Sequence, residues 1–181
     1  MKFTIADWVT LGRIVLSPIV FLLFIFGGSP ARYAAFVLFG LGAISDTVDG
    51  YIARKTKLSD FGKLWDPIAD KLLTGFALVA LSLLNYLPWW IAVALIIRDI
   101  AVTTVRVMKI KGSGKIILPV FLAKLKTTFE MIMIIGLLLW AAFISKEFSI
   151  PMYIGMQIYG AIIVILAWGT GIHYVLKALR K

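Results

Sequence analysis

Cysteine is absent from the 181-residue chain, which excludes disulfides, thiolate catalysis and Cys-ligated metal. A single histidine, His173, excludes a multi-histidine metal centre within the chain. Any metal must therefore be held mainly by oxygen. Charge is scarce too: charged residues make up 15% of the chain, against about 25% in ordinary soluble domains. Acids are scarcest, with nine Asp and Glu facing nineteen Lys and Arg. Hydrophobic residues reach 61%, so too little polar surface exists to cover a water-soluble fold. The same figure excludes low-complexity disorder, which needs low hydrophobicity. These shortages imply an integral membrane protein.

Uncharged runs such as Ile14–Phe26, Leu78–Ile97 and Met131–Ile144 support that reading. A helical span needs about 20 mostly apolar residues, so the chain has room for six. They are expected near Trp8–Phe26, Ala31–Ala53, Pro67–Leu84, Pro88–Met108, Pro119–Ile144 and Ile150–Leu176. Gly27 to Pro30, Asn85 to Pro88 and Ser145 to Pro151 are turn-rich breaks. The first run is read as a span and not a signal peptide, because no small-residue cleavage site stands out. Residues 1–181 show no internal repeat and no domain boundary, which gives one domain: an all-α membrane protein, a six-transmembrane-helix bundle.

Cation placement orients that bundle. Sixteen of the nineteen Lys and Arg fall at the termini, in the loops at residues 54–63 and 109–115, and beside those loops. Arg32 and Lys146 fall on the other side, and Arg98 lies inside a span. Positive charge marks the cytoplasmic side, so the termini and both basic loops are expected there, in a cell membrane. Trp8, Trp65, Trp89, Trp90, Tyr86 and Tyr153 lie near span ends, where amphipathic rings favour the interface. No basic segment combines length, exposure and interleaved aromatics, so no nucleic-acid role is expected.

Five of the nine acids fall within residues 46–70, and four of them form two pairs. Asp46 and Asp49 are three apart, and Asp66 and Asp70 four apart, so each pair shares one helical face. The first pair ends the second span and the second begins the third. Two helices joined by a short loop run antiparallel, so the pairs can converge. Converging carboxylates at a membrane edge repel and lose hydration, and a divalent cation relieves both costs. Mg²⁺ and similar hard cations take carboxylate oxygens and share their remaining positions with phosphates. Small residues at Gly50, Ala53 and Gly62 leave room for a bulky polar ligand. Alternatively, the acids are loop charges balanced by Arg54, Lys63 and Lys71.

The run Asp46-x2-Asp49-Gly50-x2-Ala53-Arg54-x7-Gly62-x3-Asp66-x3-Asp70 resembles the signature of the CDP-alcohol phosphotransferases. That pattern usually has eight or nine residues between Arg and the second Gly, and the shorter gap falls in the inter-helix loop. Further elements resemble one branch of the family: Asp66 to Lys71, Asp7-x2-Thr10-x2-Arg13, Arg98-Asp99-Ile100 followed by Arg106, and Ala123 to Thr127. The resemblance implies a six-helix homodimeric enzyme that moves a phosphatidyl group from CDP-diacylglycerol to an alcohol and releases CMP. In that branch the acceptor is sn-glycerol 3-phosphate.

It also implies roles. Asp46, Asp49, Asp66 and Asp70 would hold Mg²⁺ or Mn²⁺, as two ions, at the cytoplasmic edge, with Asp70 the base for the acceptor hydroxyl. Gly50, Ala53, Arg54 and Gly62 would line the CDP site. An acceptor that carries phosphate needs fixed cations, and Arg106, Lys124, Lys126 and Arg98 are the expected ones. Arg98 has a second reading, a structural pair with Asp99 or Glu130. His173 is expected to be an interfacial packing residue. Two other functions compete: the same chemistry on another acceptor, such as inositol phosphate or serine, and a divalent-cation transporter.

Overall fold

A computed structural model of the chain describes residues 5–53, 60–113, 121–144 and 149–179. Side chains are described at residues 7–45, 65, 68–69, 71–105, 107–108, 125–144 and 149–176. Among the described residues six helices follow one another: α1 (Ile5–Phe26), α2 (Ser29–Ala53), α3 (Asp60–Leu83), α4 (Trp89–Ser113), α5 (Phe121–Phe143) and α6 (Ile150–Leu179). Each coincides with one expected span. Three are long and apolar enough to cross a membrane, over Asp7–Phe26, Leu125–Phe143 and Ile150–Leu176.

Short reversals connect α1 to α2, α3 to α4 and α5 to α6, and all three lie at one end of the bundle, the turn end. Local chemistry sets them. Asn85 has φ 60, a left-handed conformation that Asn tolerates better than most side chains. The Tyr86 N–H then reaches the Leu81 carbonyl at 2.8 Å and the Asn85 N–H reaches Ser82 at 3.1 Å, which closes the last turn of α3. Pro30 and Pro151 sit in the first turns of α2 and α6, where a missing N–H costs nothing.

At the opposite end α1, α3, α4 and α6 outrun the expected spans. α3 begins seven residues before Pro67, and α4 continues five residues past Met108. Hydropathy stops where Lys and Asp begin, but helical hydrogen bonding does not.

α1 lies against both α2 and α3, while α4 packs on α6 and α3, and α5 on α6 and α2. α2 and α3 touch only briefly. One close approach between them is at Gly42, where a Cβ would stand 2.9 Å from Leu73 Cδ2. That contact fixes their relative direction. Were the two parallel, the end of α2 and the start of α3 would lie about 36 Å apart along the axes, at 1.5 Å per residue. The seven peptide steps between Ala53 and Asp60 span at most about 25 Å, so the helices are antiparallel.

The core at the turn end is apolar, built on Phe24, Leu81, Leu87, Ile91, Leu138 and Ala141. The outward faces are apolar as well, with Leu22, Val37, Ile97, Ile132, Ile158 and Ile165 exposed. A helix that is apolar all round belongs in a large core or in lipid, and a bundle this thin has no large core.

Candidate active site

Inward-facing stripes carry the argument from fold to site. On α2, Ala35, Phe39 and Gly42 are buried at helical spacing, and the same spacing continues to positions 46, 49 and 53. On α3, Leu81, Ala77, Leu73 and Ala69 are buried, and positions 70, 66 and 62 follow Leu73 at helical spacing. Measured from the Gly42–Leu73 contact, Asp46 and Asp70 come about one turn further along, and Asp49 and Asp66 about two. The motif positions are thus in step on two antiparallel helices.

α1 points its own polar stripe to the same end. Asp7, Thr10, Arg13 and Ser17 are buried, and each of the first three has an interaction partner. The Ser17 hydroxyl donates to the Arg13 carbonyl at 2.7 Å. One turn further in, Val20 and Phe24 make the same face apolar.

A charged hub sits between α3, α4 and α5. Asp99 is 6% exposed and accepts from three cations. Lys71 reaches Asp99 Oδ2 at 2.8 Å, while Arg98 Nη1 and Lys126 Nζ reach Oδ1 at 2.7 and 2.9 Å. Lys126 is fully buried and also pairs with Glu130 Oε2. Glu130 Oε1 is buried with no hydrogen-bond partner among the described residues. Arg98 extends the hub to α6, donating from Nε to the Ala167 carbonyl at 2.9 Å and from Nη2 to Thr170 Oγ1 at 3.3 Å. Gly171 makes this seat possible, since a Cβ there would stand 3.3 Å from Arg98 Nε.

The expected site residues distribute as follows. Asp46, Asp49, Gly50 and Ala53 lie in the last two turns of α2, and Gly62, Asp66 and Asp70 in the first three of α3. Arg106 lies two turns before the end of α4, and Lys124 in the first turn of α5. Their side chains, and Arg54 altogether, fall outside the described residues. Arg98 and Lys126 are described, and in this structure both engage carboxylates. Arg98 makes the Asp99 pair of its second reading. His173 is exposed near the end of α6.

Sequence reasoning did not anticipate the hub as a unit. Lys71 enters the sequence reading only as a possible counter-charge in the alternative view of the acids, and the structure shows it crossing to Asp99 on α4. The available signal was charge within apolar segments on three separate helices, which demands pairing. Beside the hub, α3 and α4 flank a cleft of ≈ 680 Å³, walled by Lys71, Asp99 and apolar residues including Phe76, Val79, Ile96 and Ile100.

Fold and charge placement together define an all-helical bundle of membrane-protein class whose buried charged residues, among the described ones, lie away from the turn end. Within that class the chain belongs to the CDP-alcohol phosphatidyltransferase family, whose model matches residues 3–173. It is 36% identical over 180 residues to a Mycobacterium tuberculosis protein named "Probable phosphatidylglycerophosphate synthase", covering 97% of this chain and 82% of that one. It is similar to two proteins named CDP-diacylglycerol–glycerol-3-phosphate 3-phosphatidyltransferase. The one from Bacillus subtilis is 35% identical over 150 residues, 76% of this chain and 77% of the relative. The one from Escherichia coli is 31% identical over 173 residues, 93% and 91% of the two chains.

Proposed function

We propose that this protein transfers the phosphatidyl group of CDP-diacylglycerol to sn-glycerol 3-phosphate, releasing CMP. What supports the reading is the spacing of the two aspartate pairs, which continues the helical spacing of buried residues on α2 and α3 past the Gly42–Leu73 contact. The names of the relatives supply the acceptor.

In this reading the six helices all span the membrane, the site faces the cytoplasm, and two copies of the chain form a homodimer. The cation excess at the carboxylate end supports that orientation. The donor set at positions 46, 49, 66 and 70 is four carboxylates, which fits a hard divalent cation such as Mg²⁺ or Mn²⁺. A pair of such ions bound there would offset charge on the donor pyrophosphate.

The chain's own residues do the rest. Asp70 takes the proton from the acceptor hydroxyl as its oxygen attacks the phosphatidyl phosphorus. The bond from that phosphorus to the CMP oxygen breaks, and CMP leaves with the electron pair. Gly50, Ala53, Arg54 and Gly62 line the CDP site. Arg106 and Lys124 meet the acceptor phosphate, with Arg106 offering a bidentate fork. Lys126 and Arg98 complete the acceptor-phosphate set, and in the substrate-free structure they are engaged with Asp99 and Glu130.

The test is CMP release by purified protein given CDP-diacylglycerol and, separately, glycerol 3-phosphate, inositol phosphate and serine. Turnover should appear with glycerol 3-phosphate, vanish in excess EDTA and return with Mg²⁺ or Mn²⁺. Turnover only with another acceptor overturns the acceptor assignment. Full activity after metal stripping removes the metal from the reading.

A further inference from the structure

The hub raises a question that the reaction does not answer: why a lysine adjacent to the proposed base should be tied to a buried acid on another helix. Lys71 directly follows Asp70, and its ammonium crosses to Asp99 Oδ2 at 2.8 Å. Successive residues on a helix lie about 100° apart. An anchor at position 71 therefore fixes the rotation of α3 about its axis, and with it the direction in which positions 66 and 70 are presented.

Apolar packing seats α3 on α1, with Ala69, Leu73 and Ala77 buried, and toward α4 an ion pair is added to it. Lys71 and Asp99 both line the ≈ 680 Å³ cleft flanked by α3 and α4, and their ion pair crosses it. The ion pair is the strut across the gap. Its far end is firmly held: Asp99 also takes Arg98 and Lys126, and Arg98 is bolted to α6 through Ala167. One carboxylate thus ties α3 to α4, α5 and α6 at the level of the aspartate motif.

We propose that Asp99 is a positioning residue for the transfer reaction: by holding Lys71 across the α3–α4 cleft, it sets the rotation of α3 that presents Asp66 and Asp70. Asp99 touches neither substrate nor reacting atoms in this role. The inference rests on the transferase reading, so the wild type is assayed first. Absence of CMP release by the wild type sinks that reading and says nothing against the strut.

Lys71→Met keeps the aliphatic stem and removes the charge, while Lys71→Arg restores a cation that can still reach Asp99. Asp99→Asn cuts the strut from the other side, but it also leaves Arg98 and Lys126 without their shared partner. The Lys71 series therefore carries the test. For monodisperse protein, Lys71→Met should lower kcat by about 10²-fold, the scale expected for a misplacement of about 1 Å, with little change in KM for glycerol 3-phosphate. Mn²⁺ binding to the substrate-free protein, followed by electron paramagnetic resonance, should weaken by at least about tenfold. Lys71→Arg should recover most of both. A merely structural strut would lower thermal stability and yield alone. Wild-type kcat and Mn²⁺ affinity in folded Lys71→Met would overturn the proposal, and so would a loss that Lys71→Arg fails to repair.

Discussion

The two ends of the bundle are built on opposite rules. At the turn end the interior is Leu81, Leu87, Ile91, Leu138 and Ala141, and the connections are short. At the carboxylate end the interior holds Asp7, Arg13, Asp99, Lys126 and Glu130. In lipid, tails are as apolar as leucine, so apolar side chains gain from close packing more than from leaving water. Buried charges at the other end are costly unless paired, and pairing rarely repays the whole cost. A fold selected for stability alone would repeat the turn end twice. The charged end is therefore where the proposed chemistry is maintained, and the turn end is what holds the helices while it occurs.

The largest effect should come from the proposed base. Asp70→Asn should lower turnover by about 10²–10⁴-fold, the usual range for loss of a general base. Binding of CDP-diacylglycerol should partly survive, because Asp46, Asp49 and Asp66 still supply carboxylates. A variant keeping more than half of wild-type CMP release removes Asp70 from the base role.

Next in size is a change that touches neither substrate nor motif. A Cβ on Gly42 would approach Leu73 at 2.9 Å and Leu16 at 3.4 Å, both through the ends of flexible side chains. Gly42→Ala should be absorbed by small rotations of those leucines. Gly42→Leu cannot be, and should push α2 off α3, costing about 1–3 kcal/mol of stability and about 10²-fold in turnover. Undiminished turnover in folded Gly42→Leu would show that the two aspartate pairs do not need this approach.

Arg106→Ala should act more selectively. Loss of a charge-assisted hydrogen bond of about 1.5–3 kcal/mol corresponds to about a 10–150-fold higher KM for glycerol 3-phosphate, with the KM for CDP-diacylglycerol nearly unchanged. Arg106→Lys should recover only part, since a point charge replaces a planar fork. Equal weakening of both substrates assigns Arg106 to the donor or to structure.

The same contrast between ends governs how much was legible in the sequence. At the turn end every expected boundary falls within two residues of the helix end, because Gly27, Asn85, Pro88 and Ser149 announce the reversals in local chemistry. At the carboxylate end α1, α3, α4 and α6 start earlier or run later than expected, by three to seven residues. Span length follows hydropathy, which ends at the first charges, whereas the helices continue through them. The aspartate motif was legible because its spacing lies along single helices. The hub was not, since Lys71, Asp99 and Lys126 sit on three helices and only the packed bundle brings them together.

The smallest effect should come from the turn end, and it tests whether the two ends are separable. Asn85 holds φ 60 at the close of α3, where a Cβ-bearing residue without a polar side chain is strained by roughly 1–2 kcal/mol. Asn85→Ala should lower unfolding free energy by about that amount, while Asn85→Gly, free of the Cβ strain, should stay close to wild type. Neither should change turnover per folded molecule, because α3 carries its motif positions at the far end, more than two turns beyond Ser82 and Leu81. Thermal unfolding in detergent and CMP release, measured on the same samples, separate the two quantities. Should Asn85→Ala reduce turnover without reducing the folded fraction, the strain is being transmitted along α3 to positions 70 and 66. The bundle would then work as one rigid lever, and the division between a holding end and a reacting end would have to be given up.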